Sequence, residues 1–188
     1  MLHFVHRVNT IHRVYDYFFN WNIKSIEIDV QTTKDGVLVV HHDDVSGHHL
    51  YELPYYVPTF EDFLRYIPEN MTINVEIKKY AKSKNDVVHI LFICRDYPEH
   101  KYHFSSFDFD TYYALKEMCD SFWHLSKDMD SYRPDVEHVC VHKSMLAFIN
   151  PKKHKTIGAY DVMAGSEANE LATLYPFVNV WILDQKTS

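Results

Sequence analysis

Two acids and a histidine on one alternating stretch carry the first chemical signal. In SIEIDVQTTKDGVLVVHHDD, residues 25–44, Glu27 and Asp29 alternate with Ile26, Ile28 and Val30. A strand sends successive side chains to opposite faces, so the carboxylates share one face and the aliphatic residues the other. Asp35-Gly36 predicts a two-residue hairpin turn. With that turn Lys34 faces Val37, Asp29 lies across from His42, and Glu27 lies across from Asp44, at about 5 Å between Cβ atoms. His41 then points to the opposite face. In TINVEIKKY, residues 72–80, Glu76 and Lys78 share a face while Val75 and Ile77 turn away. Glu27, Asp29 and Glu76 converge, and buried carboxylates repel one another unless a cation holds them. An oxygen-only set of three acids suits Mg²⁺ or Ca²⁺ better than zinc. Pairing of the acids with arginine or lysine is the bland alternative.

These groups need a frame. Strand-like stretches fall at LHFV, SIEIDV, VLVVHH, TINVEI, KYHFSS, SFWHLS, VEHVCVH, KTIGAYDV and VNVWIL. Between them lie about seven helical stretches. Residues 10–22 repeat apolar positions at helical spacing, PTFEDFLRYI is capped at Thr59, and SEANELATLY is capped at Ser166. This alternation predicts an α/β protein with mostly parallel strands. Only 13 positions separate Asp29 from His42, too few for a helical crossover, so that pair is a hairpin. The remaining eight strands predict a compact TIM (β/α)8 barrel with a β-hairpin at the second strand. The acids then lie near the C-terminal ends of two barrel strands, where barrel active sites are built.

Whole-chain properties set limits. The 188 residues are read as one domain spanning 1–188, with a net charge of −7, which argues against nucleic acid as a partner. Cys94, Cys119 and Cys140 are scattered and show no CxxC, as expected of reduced thiols. MLHFVHRVNTIHRV is interrupted by His and Arg too early for a signal peptide, and no apolar run reaches membrane-spanning length. A soluble cytoplasmic protein with no transmembrane segment is expected. His12-Arg13 and His48-His49 are read as surface groups, and Tyr51, Tyr55 and Tyr56 as a possible rim of the barrel mouth.

EIDVQTTKDGVLVVHHDD resembles the signature segment of glycerophosphodiester phosphodiesterases, which are TIM-barrel enzymes of the phospholipase-C-like superfamily. His6-Arg7 matches the family's His-Arg pair, and Asn9-Thr10 its Asn-Thr. Pro58-Thr59-Phe60 resembles its Pro-Thr-Leu, Glu76-Ile77-Lys78 its Glu-x-Lys, and Ser106-Phe107-Asp108 its Ser-Phe-Asp. The last third matches weakly, through strand–helix order and Trp181-Ile182-Leu183-Asp184. The resemblance implies metal-dependent hydrolysis of a small or lipid-derived phosphodiester to glycerol phosphate and an alcohol, a reaction of lipid metabolism. It assigns His6 and His42 as the acid–base pair, Glu27, Asp29 and Glu76 to one divalent cation (Mg²⁺ or Ca²⁺), and Arg7 and Lys78 to the phosphoryl charge. Phe107 and Trp181, at strand ends, are candidates to line the substrate groove.

The sequence departs from the pattern in places. Val8 replaces the glycine after His-Arg, and the Pro-Glu before Asn-Thr is missing. The family's insertion that shapes the alcohol pocket is reduced to VSGHHLYELPYYV, which predicts an open mouth tolerant of different alcohols. Two alternatives remain at this level. One is headgroup cleavage by cyclisation, as in sphingomyelinase D-like proteins. The other is a barrel that only binds.

Overall fold

In the computed structural model, which describes residues 1–78 and 84–185, the chain alternates strands and helices around one closed sheet. The strands are β1 (Leu2–Val5), β2 (Ser25–Thr32), β3 (Leu38–Val40), β4 (Thr72–Ile77), β5 (Lys101–Ser106), β6 (Phe122–Ser126), β7 (His138–His142), β8 (Thr156–Met163) and β9 (Val180–Asp184). The helices are α1 (Ile11–Trp21), α2 (Phe60–Tyr66), α3 (Lys84–Asp96), α4 (Phe109–Met118) and α5 (Ser166–Leu174). The sheet runs β1-β9-β8-β7-β6-β5-β4-β2 with every neighbour parallel, and β1 pairs with β2 to close it. β3 lies outside the ring, antiparallel to β2. This is the eight-stranded parallel barrel with the expected hairpin.

Alternation along each strand separates two cores. Ile26, Ile28, Ile73, Val75, Val139 and Val141 belong to the large outer core, together with Phe60, Phe63 and Leu64 of α2 and Tyr112 and Leu115 of α4. Phe4, Trp123, Leu125, Cys140, Val180 and Ile182 form a separate inner cluster. Gly158 is required there, since a Cβ at this position would lie 2.8 Å from Cys140 Sγ.

Local chemistry explains the helix starts. Thr59 accepts from the Asp62 backbone N–H at 3.1 Å, and Asp108 accepts from that of Thr111 at 2.9 Å. Ser166 is not the cap of α5. That position is Gly165, with φ +98° and no side-chain capping bond, and Ser166 is the first helical residue. Five α-helices and three 3-10 helices occur among the described residues, against about seven helical stretches expected. The β6–β7 connection is a polar loop tied by Asp128 and Ser131, and the β7–β8 connection is made of 3-10 turns. Replacing helices with loops lets a short chain close a barrel.

The hairpin register differs from expectation by one residue. Val30 pairs with Val40, Gln31 with Val39 and Thr32 with Leu38, and the His41 N–H donates to the Asp29 carbonyl at 3.0 Å. The loop therefore holds three residues, Lys34, Asp35 and Gly36, with Gly36 supplying φ +82°. Asp35 bonds the Thr33 hydroxyl at 2.7 Å and the Leu50 N–H at 3.1 Å, so it anchors the loop through its side chain. Asp29 consequently lies opposite His41, not His42.

Candidate active site

β2 carries Glu27 and Asp29, and β4 carries Glu76 in register with Asp29. All three are at most 6% exposed. One carboxylate oxygen from each lies within 4.8 Å of the others. The chain holds them in place by specific bonds. The Arg7 N–H donates to Glu27 Oε2 at 2.7 Å. Asn9 clamps Asp29, donating from Nδ2 to Oδ2 at 2.7 Å and accepting from the Asp29 N–H at 2.9 Å. Lys78 Nζ lies 2.8 Å from both Asp29 Oδ1 and Glu76 Oε1.

One ammonium does not balance three buried carboxylates. Glu27 Oε1 is buried without a hydrogen-bond partner. Burial, then the charges of Asp29 and Glu76, push the Glu27 carboxyl well above its ordinary range. Glu76 is raised by burial and by Asp29. For Lys78, burial acts downward, but Glu76 and Asp29 outweigh it and raise the pKa. Hard oxygen donors and a carboxylate oxygen without a partner fit a divalent cation of the Mg²⁺ or Ca²⁺ type.

His6 follows β1. Its Nδ1 lies 2.6 Å from Asp184 Oδ1 at the end of β9, and its Nε2 lies 3.8 Å from Glu27 Oε2. Burial lowers the His6 pKa against the opposing pull of Asp184. Arg7 has φ +54°, a left-handed backbone uncommon outside glycine, and this turn brings its N–H onto Glu27. His42 lies beyond the end of β3, where the chain bends, with Nδ1 2.8 Å from Asp43 Oδ1. Gln31 brackets that bend: its Nε2 donates to the carbonyls of His41 and Asp43 at 2.7 Å each, and its Oε1 accepts from the Val45 N–H at 3.0 Å.

A cleft of about 200 Å³ joins these groups. Its lining includes His6, Arg7, Glu27, His42, Glu76, Lys78 and Phe107. His41 is absent from that lining and lies in a neighbouring groove with Arg7, Asn9, Thr10, Arg13 and Tyr56, a groove that His42 also borders. His42 thus shares the cleft with the acids although the register that predicted it does not hold. The bend held by Gln31 puts it there.

Trp181 does not join the site. It is 1% exposed and packed in the outer core, while its neighbour Ile182 lines the cleft. Alternation explains this, because adjacent strand residues face opposite ways. Tyr51, Tyr55 and Tyr56 are exposed and absent from the cleft lining, and Tyr56 borders the neighbouring groove. Asn9 and Asp184, which the resemblance matches without a role, join the site together with Gln31, His142, Tyr160 and Asp161, which no motif marks. Gln31 continues the inward series of Glu27 and Asp29, and Asp184 ends an apolar strand. Both signals were readable.

A family model described as the glycerophosphoryl diester phosphodiesterase family matches residues 15–172. That span contains Glu27, Asp29, His42 and Glu76 but neither His6 nor Asp184. No curated protein sequence matches. Among solved structures, a phosphodiesterase from Oleispira antarctica in complex with the product sn-glycerol-3-phosphate superposes with a TM-score of 0.74 at 16% identity, covering 98% of this chain and 92% of that one. A glycerophosphodiester phosphodiesterase from Thermotoga maritima gives 0.71 at 19% identity, with 97% and 94% covered. One from Agrobacterium tumefaciens gives 0.68 at 16% identity, with 97% and 96% covered. At these identities the structural likeness establishes the barrel fold.

Proposed function

This chain belongs to the glycerophosphoryl diester phosphodiesterase family, and we propose that it hydrolyses a glycerophosphodiester to glycerol phosphate and an alcohol. His6 and His42 move the protons, while Glu27, Asp29 and Glu76 hold one divalent cation, Mg²⁺ or Ca²⁺. The Oleispira antarctica phosphodiesterase holds sn-glycerol-3-phosphate as its product, and the same product is proposed here. The observation that carries the reading is the setting of His6, fixed by Asp184 on one nitrogen and turned toward the acids on the other.

His6 is the base. With Nδ1–H donating to Asp184, Nε2 keeps its lone pair for the attacking hydroxyl or water. Burial depresses its pKa, so the ring is neutral and able to take a proton at neutral pH. His42, tied to Asp43 through Nδ1, gives a proton to the departing alkoxide. Arg7 and Lys78 balance the charge that grows on the phosphoryl oxygens. When bound, a divalent cation supplies Lewis-acid polarisation of those oxygens. No helix among the described residues is long and apolar enough to cross a membrane. The three cysteines are free, and we place the enzyme in the reducing cytoplasm.

Incubation with glycerophosphocholine and Mg²⁺, Mn²⁺ or Ca²⁺, followed by ³¹P NMR, tests the reading. Glycerol phosphate should accumulate with a cation and stop on chelation. Full turnover after exhaustive chelation overturns the metal assignment, and absence of product with every cation overturns the activity. A cyclic phosphate as end product overturns hydrolysis in favour of cyclisation.

A further inference from the structure

The β8 wall of the cleft is irregular. Register with β9 shifts between Ala159 and Val162, and Asp161 has φ +59°. In a regular strand Tyr160 and Asp161 would face opposite ways. Here both line the cleft, as a bulge next to a site can arrange. The Tyr160 ring meets Phe107 edge to face at 5.6 Å and 89°, and His142 at 5.6 Å and 77°. Its hydroxyl donates to the Ser126 carbonyl at 3.2 Å, which fixes the ring. His142 Nε2 lies 2.9 Å from Asp161 Oδ2. The result is a corner of aromatic rings with a carboxylate beside them.

The charge balance around that corner is negative. Lys143 is the ammonium paired with Asp161 and feels Glu167, Asp161 and Asp184 together, whereas Lys78, which lines the same cleft with Arg7, is held by Asp29 and Glu76. Lys143 sits closer to Glu167, at 3.0 Å, than to Asp161, at 3.7 Å. Aromatic faces attract cations through their quadrupole, and a neighbouring carboxylate adds to that attraction. Nothing in the phosphate chemistry uses this corner.

We propose that Phe107, His142, Tyr160 and Asp161 form the alcohol subsite and select a diester whose alcohol carries a positive ammonium group, of the choline or ethanolamine type. This rests on the hydrolase reading above and replaces the tolerant mouth expected from the shortened insertion. The bulge is what brings the carboxylate to the same side as the rings.

The test compares kcat/KM for glycerophosphocholine and glycerophosphoglycerol. The wild-type ratio should favour the cationic alcohol by about tenfold or more, roughly 1.4 kcal/mol in transition-state binding. Asp161→Asn keeps a residue that accepts the left-handed backbone and removes only the charge. It should lower that ratio about tenfold, and Phe107→Ala should lower it as well. A variant that merely misfolds lowers both rates and leaves the ratio alone, which would count against the subsite. Equal wild-type rates, or a ratio unmoved by Asp161→Asn, overturn the proposal. If no diester is turned over, the hydrolase reading fails, and calorimetric titration with tetramethylammonium chloride still decides this one. Saturable binding that is lost in Asp161→Asn supports it, and absence of wild-type binding overturns it.

Discussion

The barrel interior is divided between two kinds of wall. From β2, β4 and β5 come Glu27, Asp29, Gln31, Asn74, Glu76 and Ser105, all buried. From β6, β7 and β9 come Trp123, Leu125, Cys140, Val180 and Ile182. The first wall is held by polar bonds, such as Asn74 Nδ2 to Ser105 Oγ at 3.1 Å, and it carries carboxylates that oppose burial. The second is held by packing, with His103 stacked on Trp123 at 5.1 Å and Phe4 edge-on to both. The same backbone geometry serves both. One half carries buried charge held by specific bonds, and the other closes the barrel by packing.

Exchanging function for packing on each wall separates the two roles. His42→Ala should lower kcat by about 10²–10⁴-fold with circular dichroism unchanged, the usual worth of an acid or base. His41→Ala should retain most turnover. If His41→Ala is the inactive variant, the assignment of His42 rather than His41 to the cleft chemistry is wrong. On the apolar wall, Trp123→Ala should cost about 3–5 kcal/mol in urea unfolding, with turnover per folded molecule largely kept. Loss of turnover without loss of stability would erase the distinction between the walls.

Glu27→Gln should act in the opposite sense. The folded Glu27 pKa is raised above its unfolded value, so in the metal-free protein this carboxyl costs nothing below its unfolded pKa and lowers stability as pH rises above it. Glutamine removes that loss, and the chelated variant should unfold at about 1–2 kcal/mol higher stability near pH 8. Adding Mg²⁺ or Ca²⁺ should stabilise the wild type more than the variant. A destabilised Glu27→Gln protein would mean that the charge is already compensated.

The smallest effect belongs to histidines away from the acids. Burial lowers the pKa of His100, His103, His124 and His138. Below about 6.5 the unfolded chain binds protons that the folded chain refuses, so stability falls as pH drops. In the Glu27→Gln background, which removes one opposing acid, Tm should decrease between pH 7 and 5. A flat profile would show that these rings protonate without cost inside the fold.

What the sequence revealed follows the range of the interactions. Glu27, Asp29 and Glu76 were legible because strand alternation is a local rule. The hairpin register was not, because Asp35 is held by Leu50, 15 residues away. His42 reaches the cleft through the bend that Gln31 holds, not through the register that Asp35-Gly36 predicts. The β8 bulge has no dipeptide signature, since neither Tyr160 nor Asp161 is a residue that demands left-handed backbone. Trp181 fell on the wrong side because its strand was read for residue type and not for phase.

The bond between His6 and Asp184 joins residues 178 positions apart. During synthesis the motif that holds the acids emerges early, long before β9 exists. Until residue 184 is made and β9 inserts beside β1, the barrel is open along that seam and His6 has no orienting partner. A nascent or truncated chain ending before Asp184 therefore carries the acids while His6 lacks the carboxylate that orients its ring.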